Sequence, residues 1–142
     1  MDMDKVKTRE QLEQAFQIRK TVFVVEQGVA EEIEIDQYED IANHVLVYDG
    51  EKPVGTGRVR FIDQNQIAKL ERICVLPEYR KLHFGEKIMQ ALEQIAKESG
   101  VLKAKLHAQT HAAPFYEKQG YITSSEVFME ENIPHVLMIK QL

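Results

Sequence analysis

The middle of the chain constrains the fold most, because it reads as strand, turn, long helix and strand. The segment "IAKLERICVL" has the residue types of a strand, and Pro77 ends it because proline cannot donate to a ladder. From Phe84, apolar residues recur at helical spacing until the stop signal Ser99-Gly100, and "AKLHAQ" follows as a second strand. A crossover of this kind places its two strands, here 67–76 and 103–109, parallel and adjacent. The sequence therefore predicts a sheet with a parallel pair.

The segments on either side of this crossover are predicted to complete the sheet. Thr8 and Gln11 form a capping-box pattern, which predicts a helix from about Arg9 to Phe23. The segments "HVLVY", "DGEK" and "PVGTGRVRFI" predict a hairpin, "APFYEKQ" a short helix and "HVLMIKQL" a last strand. We therefore expect an α/β (α+β) fold in a single domain over residues 1–142, with helices flanking one mixed β-sheet.

Composition narrows the class of partner. The chain has 142 residues, a net charge of -5 and one cysteine, and no Cys/His spacing resembles a zinc site. An acidic chain is a poor match for a nucleic-acid backbone, and no apolar run has the length of a membrane span or a secretory signal. We expect a cytoplasmic protein that binds no nucleic acid, membrane or metal.

A basic turn precedes the long helix. Arg80 and Lys81, with Lys87 further on, lie where a helix N-terminus exposes unpaired N–H groups and the positive end of its macrodipole. Gly85 has no Cβ and would let an anion approach the backbone. Neither G-x-x-x-x-G-K-[ST] nor G-x-G-x-x-G is present, which disfavours ATP and NAD. The turn is predicted to hold a pyrophosphate, and a basic turn that only caps the helix is the alternative.

Two spaced motifs resemble the acetyl-CoA signature of the GNAT N-acetyltransferases. The run "ICVLPEYRKLHFGEKIM" is similar to a strand leading into [RQ]-x-x-G-x-[GA], with Arg80, His83 and Gly85 at the motif positions. The run "QTHAAPFYEKQGY" is similar to N-x-x-A-x-x-[LF]-Y-x-x-x-G-[FY], and its matching residues are Gln109, Ala112, Phe115, Tyr116, Gly120 and Tyr121. The front half also resembles a bacterial branch of uncharacterised GNAT proteins and, more distantly, the acyl-homoserine lactone synthases.

This resemblance implies acetyl-CoA as cosubstrate and an amine as acceptor. It implies that backbone groups of Ile73, Cys74 and Val75 pair with the pantetheine arm as an added strand would. The other implied contacts with the cosubstrate lie in the turn, the helix start and the second motif: Arg80, Lys81, Leu82, His83, Phe84, Gly85, Glu86, Gln109, Ala112 and Phe115.

Acetyl transfer to an amine requires a base, an oxyanion donor and an acid. The resemblance places Tyr116 beside the thioester sulfur, where its phenol would protonate the departing thiolate. Glu71 precedes Ile73 and Val75 by two and four residues, so a regular pleat puts it on their face, where some GNAT enzymes have a glutamate base. A bulge would reverse that parity. The other candidates for the base are Glu26, His44, His107 and water.

Two positions depart from the family pattern. His83 stands where the first motif has glycine, and if that position has a positive φ, the histidine costs on the order of 1–2 kcal/mol. His83 either faces the phosphates as a donor or is simply exposed. Gln109 stands for asparagine, which keeps the amide but lengthens its reach.

The stretch "EQGVAEEIEIDQYED", from Glu26 to Asp40, is the most acidic part of the chain. It predicts a loop with a short helix that either lines a cleft for a cationic acceptor or is solvated.

Three functions stay open at the level of sequence. They are a GNAT N-acetyltransferase acting by direct transfer, an acyltransferase like the acyl-homoserine lactone synthases, and a non-catalytic acyl-CoA-binding module. The acceptor amine is open, and a homodimer is one possible arrangement.

Overall fold

An eight-stranded mixed sheet forms the centre of the computed structural model, which describes residues 2–142. Its strands are β1 (Asp2–Lys5), β2 (Asn43–Asp49), β3 (Lys52–Ile62), β4 (Ile67–Val75), β5 (Lys103–Gln109), β6 (Ile122–Thr123), β7 (Phe128–Glu130) and β8 (Ile133–Gln141). The order along the sheet is β1-β2-β3-β4-β5-β8-β6, and β7 pairs with β8. All pairs are antiparallel except β4 with β5. The predicted mixed sheet and its parallel pair are confirmed.

The helices lie between these strands. They are α1 (Arg9–Arg19), α2 (Glu31–Glu34), α3 (Phe84–Glu98) and α4 (Ala113–Lys118). The Thr8 capping box is present, and α1 continues directly into a π-helical segment, Lys20–Glu26. The predicted first helix is thus correct at its start, but its winding changes after Arg19 and it extends past Phe23. Within residues 2–142, no helix is both long and apolar enough to span a membrane.

Helix α3 packs on one face of the sheet and α1 on the other. Ile88 and Leu92 of α3 are fully buried, and they approach β3 closely at Gly57. A Cβ at Gly57 would lie 2.8 Å from Cγ2 of Ile88 and 3.0 Å from Cδ1 of Leu92. Glycine is therefore required there to let the helix lie flat on the strand. This contact fixes α3, and hence its N-terminus, relative to β4.

Three strands were not predicted from the sequence. Strand β1 is a short, charged edge strand that pairs with β2, while β6 and β7 have two and three residues. Segments this short carry too little period-2 pattern to be recognised alone, and they form because β2 and β8 offer them an edge.

Candidate active site

The parallel strands β4 and β5 separate soon after they begin. They are paired only at Ala68 with Ala104 and at Lys69 with Lys105, although both strands continue for several residues. The gap between the two strands forms one side of a cleft with a volume of about 940 Å³. Every residue predicted to contact acetyl-CoA lines this cleft except Leu82, which is exposed outside it. Beyond Lys69 the main chain of β4 has no partner on β5, so it can bind an extended ligand, although the Val75 carbonyl accepts a hydrogen bond from Arg80.

A bulge in β4 reverses the predicted position of Glu71. Glu71 pairs with Arg58 and Cys74 with Thr56, so Arg72 and Ile73 together oppose Gly57, and Arg72 has a φ of 57°. Glu71 therefore faces α1, whereas Ile73 packs toward α3, and the prediction that they share a face is wrong.

Three cations hold the Glu71 carboxylate. Its Oε1 lies 2.6 Å from Nε of Arg60 and 3.2 Å from Nη2 of Arg58, and its Oε2 lies 3.3 Å from Nζ of Lys69. Burial alone would raise the pKa of Glu71, but the Arg60 hydrogen bond and the three positive charges outweigh it and lower that pKa. A carboxylate stabilised in this way is a weak base.

The N-terminus of α3 opens into the same cleft. His83, the residue before the helix, has a φ of 70°, so the motif position does require the left-handed region. No side chain caps the first turn of α3. The imidazole of His83 is exposed, with Nδ1 2.9 Å from Oε1 of Glu86. The N–H groups at this helix start therefore have no side-chain acceptor within the described residues.

Gly85 has a packing role that the sequence did not predict. A Cβ on Gly85 would lie 3.2 Å from Cζ of Phe115 in α4. The space that the missing Cβ leaves is therefore taken by an aromatic ring, and the glycine lets α3 and α4 pack closely. Its N–H group still belongs to the uncapped first turn of α3.

Two side-chain bridges cross the cleft from the end of the π-helical segment. Arg80 donates to Glu26 through both terminal nitrogens, at 2.7 and 2.6 Å, and through Nε to the carbonyl of Val75 at 3.0 Å. Gln109 donates through Nε2 to Oε1 of Gln27 at 2.8 Å. One bridge thus reaches the end of β4 and the other the end of β5. The hydrogen bond from Arg80 lowers the pKa of Glu26, which disfavours Glu26 as a base.

Tyr116 and Tyr121 make different use of their hydroxyl groups. Tyr121 donates to Oε2 of Glu93 at 2.9 Å on the α3 side of the sheet. Among residues 2–142 the Tyr116 hydroxyl makes no hydrogen bond, and Tyr116 lines the cleft. Burial raises the pKa of Tyr116, so its proton stays on the oxygen until a strong base arrives.

Cys74 and His44 are both buried. Burial raises the pKa of the Cys74 thiol, which packs beneath α1 in the manner of a small apolar residue. His44 places Nε2 2.9 Å from the carbonyl oxygen of Glu39, and burial lowers its pKa. Since His44 is not part of the cleft wall, it is a poor candidate for the base.

The acidic stretch is part buried and part exposed. Arg19, 1% exposed, binds Glu34 at 2.7 Å and Glu39 at 2.7 Å. Arg58, also 1% exposed, binds Asp36 at 2.9 Å and Glu39 at 3.0 Å. Arginines thus neutralise the carboxylates of Glu34, Asp36 and Glu39 internally, while the other acids of the stretch are exposed to solvent.

Two histidines and a glutamate meet on the cleft wall. His107 places Nδ1 3.0 Å from Oε1 of Glu130, and His135 places Nε2 3.6 Å from Oε2 of the same carboxylate. His107 was named from the sequence, but Glu130 and His135 were missed. Both residues belong to the β7–β8 hairpin, and this hairpin lies beside His107 because β8 pairs antiparallel with β5. No local sequence motif predicts that pairing.

The fold and the cleft together are typical of one class of acyl-group transferases. The family model described as "Acetyltransferase (GNAT) domain" matches residues 5–142. A Bacillus subtilis relative, the uncharacterized N-acetyltransferase YjcF, is 50% identical over 135 residues, which cover 94% of this chain and 95% of the relative. The chain therefore belongs to the GNAT acetyltransferase family.

Solved structures support the same assignment. Escherichia coli ElaA superposes with a TM-score of 0.85 at 26% identity, over 99% of each chain. An aminoglycoside 6'-N-acetyltransferase complexed with coenzyme A superposes with a TM-score of 0.82 over 99% of this chain and 97% of that one. The two sequences are 17% identical, so this likeness is one of fold alone.

Proposed function

We propose that the protein is an N-acetyltransferase that transfers an acetyl group from acetyl-CoA directly to the amine of an acceptor. The observation that carries the proposal is the separation of β4 from β5, which opens toward the uncapped start of α3 and past the unpartnered Tyr116 hydroxyl. The uncapped start of α3 suits a diphosphate, and the unpaired edge of β4 suits an extended amide chain. The Tyr116 hydroxyl suits a thiolate.

The cosubstrate would lie along the opening in an extended form. Its diphosphate would bind the N–H groups of Phe84, Gly85 and Glu86 at the start of α3, where the macrodipole favours an anion. Its pantetheine amides would pair with the main chain of Ile73, Cys74 and Val75, in place of the partner that β5 stops providing. The relative of the same fold that was solved with coenzyme A supports this choice of cosubstrate.

Two groups on opposite sides of the thioester would assist the transfer. A main-chain N–H at the β4 bulge would bind the oxyanion, since the bulge turns backbone groups out of the regular ladder. Tyr116 would then give its proton to the departing thiolate. Glu71 would act as base only after releasing Arg60, to which it is bound at 2.6 Å.

Thiol release from acetyl-CoA tests the proposal, with a panel of small amines, polyamines, amino sugars and peptide N-termini as acceptors. Tyr116→Phe should lower kcat by about 10²-fold, the usual contribution of a general acid, with little change in the KM for acetyl-CoA. Tyr121→Phe is the matched control, because its hydroxyl is bound to Glu93 away from the cleft, and kcat should stay near wild type. Equal kcat values for the two variants would refute Tyr116 as the acid.

Calorimetry separates the diphosphate site from the rest of the cleft. Acetyl-CoA should bind clearly more tightly than S-acetylpantetheine, which lacks the diphosphate. Gly85→Pro should remove that difference, because proline has no N–H, although its ring also meets Phe115. Equal binding of the two ligands by wild-type protein would exclude a diphosphate site. Binding of acetyl-CoA without thiol release from any amine would favour the non-catalytic acyl-CoA-binding module.

A further inference from the structure

The cluster of His107, Glu130 and His135, here the His107 cluster, lies on the cleft wall outside the parts that would hold acetyl-CoA. Along β5 the buried residues alternate with more exposed ones, and His107 belongs to the more exposed set, opposite α3. Its side chain is 27% exposed. The imidazole of His107 is therefore in contact with both the solvent and the cleft.

Hydrogen bonding assigns different roles to the two imidazoles. Oxygen atoms of a carboxylate only accept, so Nδ1 of His107 carries the proton that it shares with Glu130 at 3.0 Å. Nε2 of His107 is then left with its lone pair. His135 uses Nδ1 to donate to the carbonyl of Ile133 at 2.7 Å, and its Nε2 faces the Glu130 carboxylate. His107 is therefore the imidazole with a ring nitrogen free for a new partner.

Phe128 holds both rings of the cluster. The Phe128 ring meets His107 edge to face, with centroids 5.1 Å apart, and stacks on His135 at 6.0 Å. The imidazole of His107 is thus fixed by a hydrogen bond along one edge and an aromatic contact on its side. Rigid orientation of this kind is what a proton acceptor needs before its substrate arrives.

The other candidates for the base are less suitable by their contacts. Glu26 is bound through both oxygens by Arg80, and Glu71 is bound by Arg58, Arg60 and Lys69. His44 is buried beneath α1 and away from the cleft.

We propose that His107 is the base that deprotonates the acceptor amine, and that Glu130 is a positioning residue that orients its ring and stabilises the imidazolium. This inference rests on the proposed N-acetyltransferase function. It places the acceptor amine between Nε2 of His107 and the thioester.

The step balances as follows in atoms and charge. An ammonium group gives one proton to Nε2 of His107, and the neutral amine forms a C–N bond with the thioester carbon. The C–S bond breaks, and the thiolate takes the Tyr116 proton. The second proton lost by the nitrogen restores Tyr116 through solvent, and His107 passes its own proton to solvent.

Titratable groups on four strands lie near His107. Glu130 and His135 approach it from β7 and β8, and Lys69 reaches the same carboxylate region from β4. Lys105 lies two residues earlier on the same face of β5. Glu130 is the group in hydrogen-bond contact with the His107 ring, so its removal should have the largest effect on which ring nitrogen carries the proton.

NMR of the His107 ring nitrogens tests the pair without any acceptor. The wild-type protein should carry the ring proton on Nδ1, and Glu130→Ala should move it toward Nε2, because the oxygen that accepts from Nδ1 is lost. Glu126→Ala, which removes an exposed carboxylate on the approach to the same hairpin, is the matched control and should leave the tautomer unchanged. The same tautomer in wild type and Glu130→Ala would overturn the role of Glu130.

Two probe amines test the role of His107 in the reaction. Ethylamine is an ammonium ion at neutral pH and needs a base, whereas hydroxylamine is largely uncharged there and does not. His107→Gln should slow thiol release with ethylamine by about 10²-fold or more, with partial recovery as pH rises, and should affect hydroxylamine far less. Acetyl-CoA affinity by calorimetry should stay at its wild-type value.

The outcomes distinguish this inference from the function on which it rests. Equal slowing of both amines by His107→Gln would overturn the base assignment while leaving the transferase function in place. Absence of thiol release from wild-type protein with either amine and with the wider panel would overturn the transferase function, and with it the base, whatever tautomer the NMR measurement shows for His107.

Discussion

The two faces of the sheet are stabilised in contrasting ways. Against α3, residues such as Leu70, Ile88 and Leu92 form an apolar core, with 0–1% of each exposed. Against α1, the apolar cluster is small, and beside it Arg19 and Arg58 are buried with carboxylates from α2, the following loop and β4. Apolar contacts tolerate small shifts, whereas a buried ion network requires each partner in its place. The face that would receive the acceptor is thus the more sharply specified.

Removal of Arg58 should give the largest effect and tests this contrast directly. Arg58→Met leaves Asp36, Glu39 and Glu71 without a shared buried cation, so the free energy of unfolding should fall by about 3–5 kcal/mol. Urea denaturation measures it. Arg9→Met, which breaks an exposed pair with Glu13, is the control and should change stability by under about 1 kcal/mol.

The apolar face provides the matched comparison. Leu92→Ala should cost about 2–5 kcal/mol, and it should do so equally at neutral and at acid pH, because no titrating group is involved. If Arg58→Met costs less than the Arg9 control, the ion network is not what holds α1 in place.

Acid should weaken the α1 face before the α3 face. Burial would raise the pKa of Asp36, but hydrogen bonds from Arg58 and from the Tyr38 N–H, with Arg72 nearby, lower it from 3.8 to about 2. A lowered folded-state pKa gives stability that is present above the unfolded value and is lost as pH falls toward the folded value. Stability should therefore decline between pH 3.8 and about 2, with Glu39 and Glu71 adding to the loss in the same direction.

Asp36→Asn sharpens this test. The variant should be less stable than wild type at neutral pH, and its unfolding free energy should fall less steeply on acidification. Urea midpoints over a pH series measure both. A slope equal to that of wild type would show that Asp36 does not couple protonation to the α1 face.

The smallest predicted effect lies in the turn before α3. His83 has a φ of 70°, so His83→Gly should raise the free energy of unfolding by about 1 kcal/mol. His83→Ala also removes the exposed contact with Glu86 but keeps a Cβ, so it should give no such gain. Thermal melts of both variants separate backbone strain from the loss of the imidazole.

The α3 half of the molecule could be predicted because its signals are local. The apolar period of α3, its Ser99-Gly100 stop and the two spaced motifs lie within short stretches, and the parallel pairing follows from the handedness of the crossover. The left-handed conformation at His83 was also predictable, since the motif has glycine there.

The ionic contacts of the α1 half could not be predicted because they join distant parts of the chain. Arg80 and Glu26 are 54 residues apart, and Arg72 and Glu34 are 38 residues apart. The bulge that turns Glu71 away from Ile73 is a property of the register between β3 and β4. Glu130 depends on a three-residue strand. In each case the chemistry follows from pairing, which composition does not encode.

In the π-helical segment Lys20–Glu26, the number of residues, as well as their type, determines which side chains reach the opening between β4 and β5. Glu26 and Gln27 end up side by side above it because this stretch turns more slowly than an α-helix. A π-helical turn holds one residue more than an α-helical turn, so deleting one residue, such as the outward-facing Val25, would let α-helical winding return with both side chains at nearly their present angle. Deleting a second residue would rotate both side chains by about 100° and break both bridges, although every residue that forms them would still be in the gene.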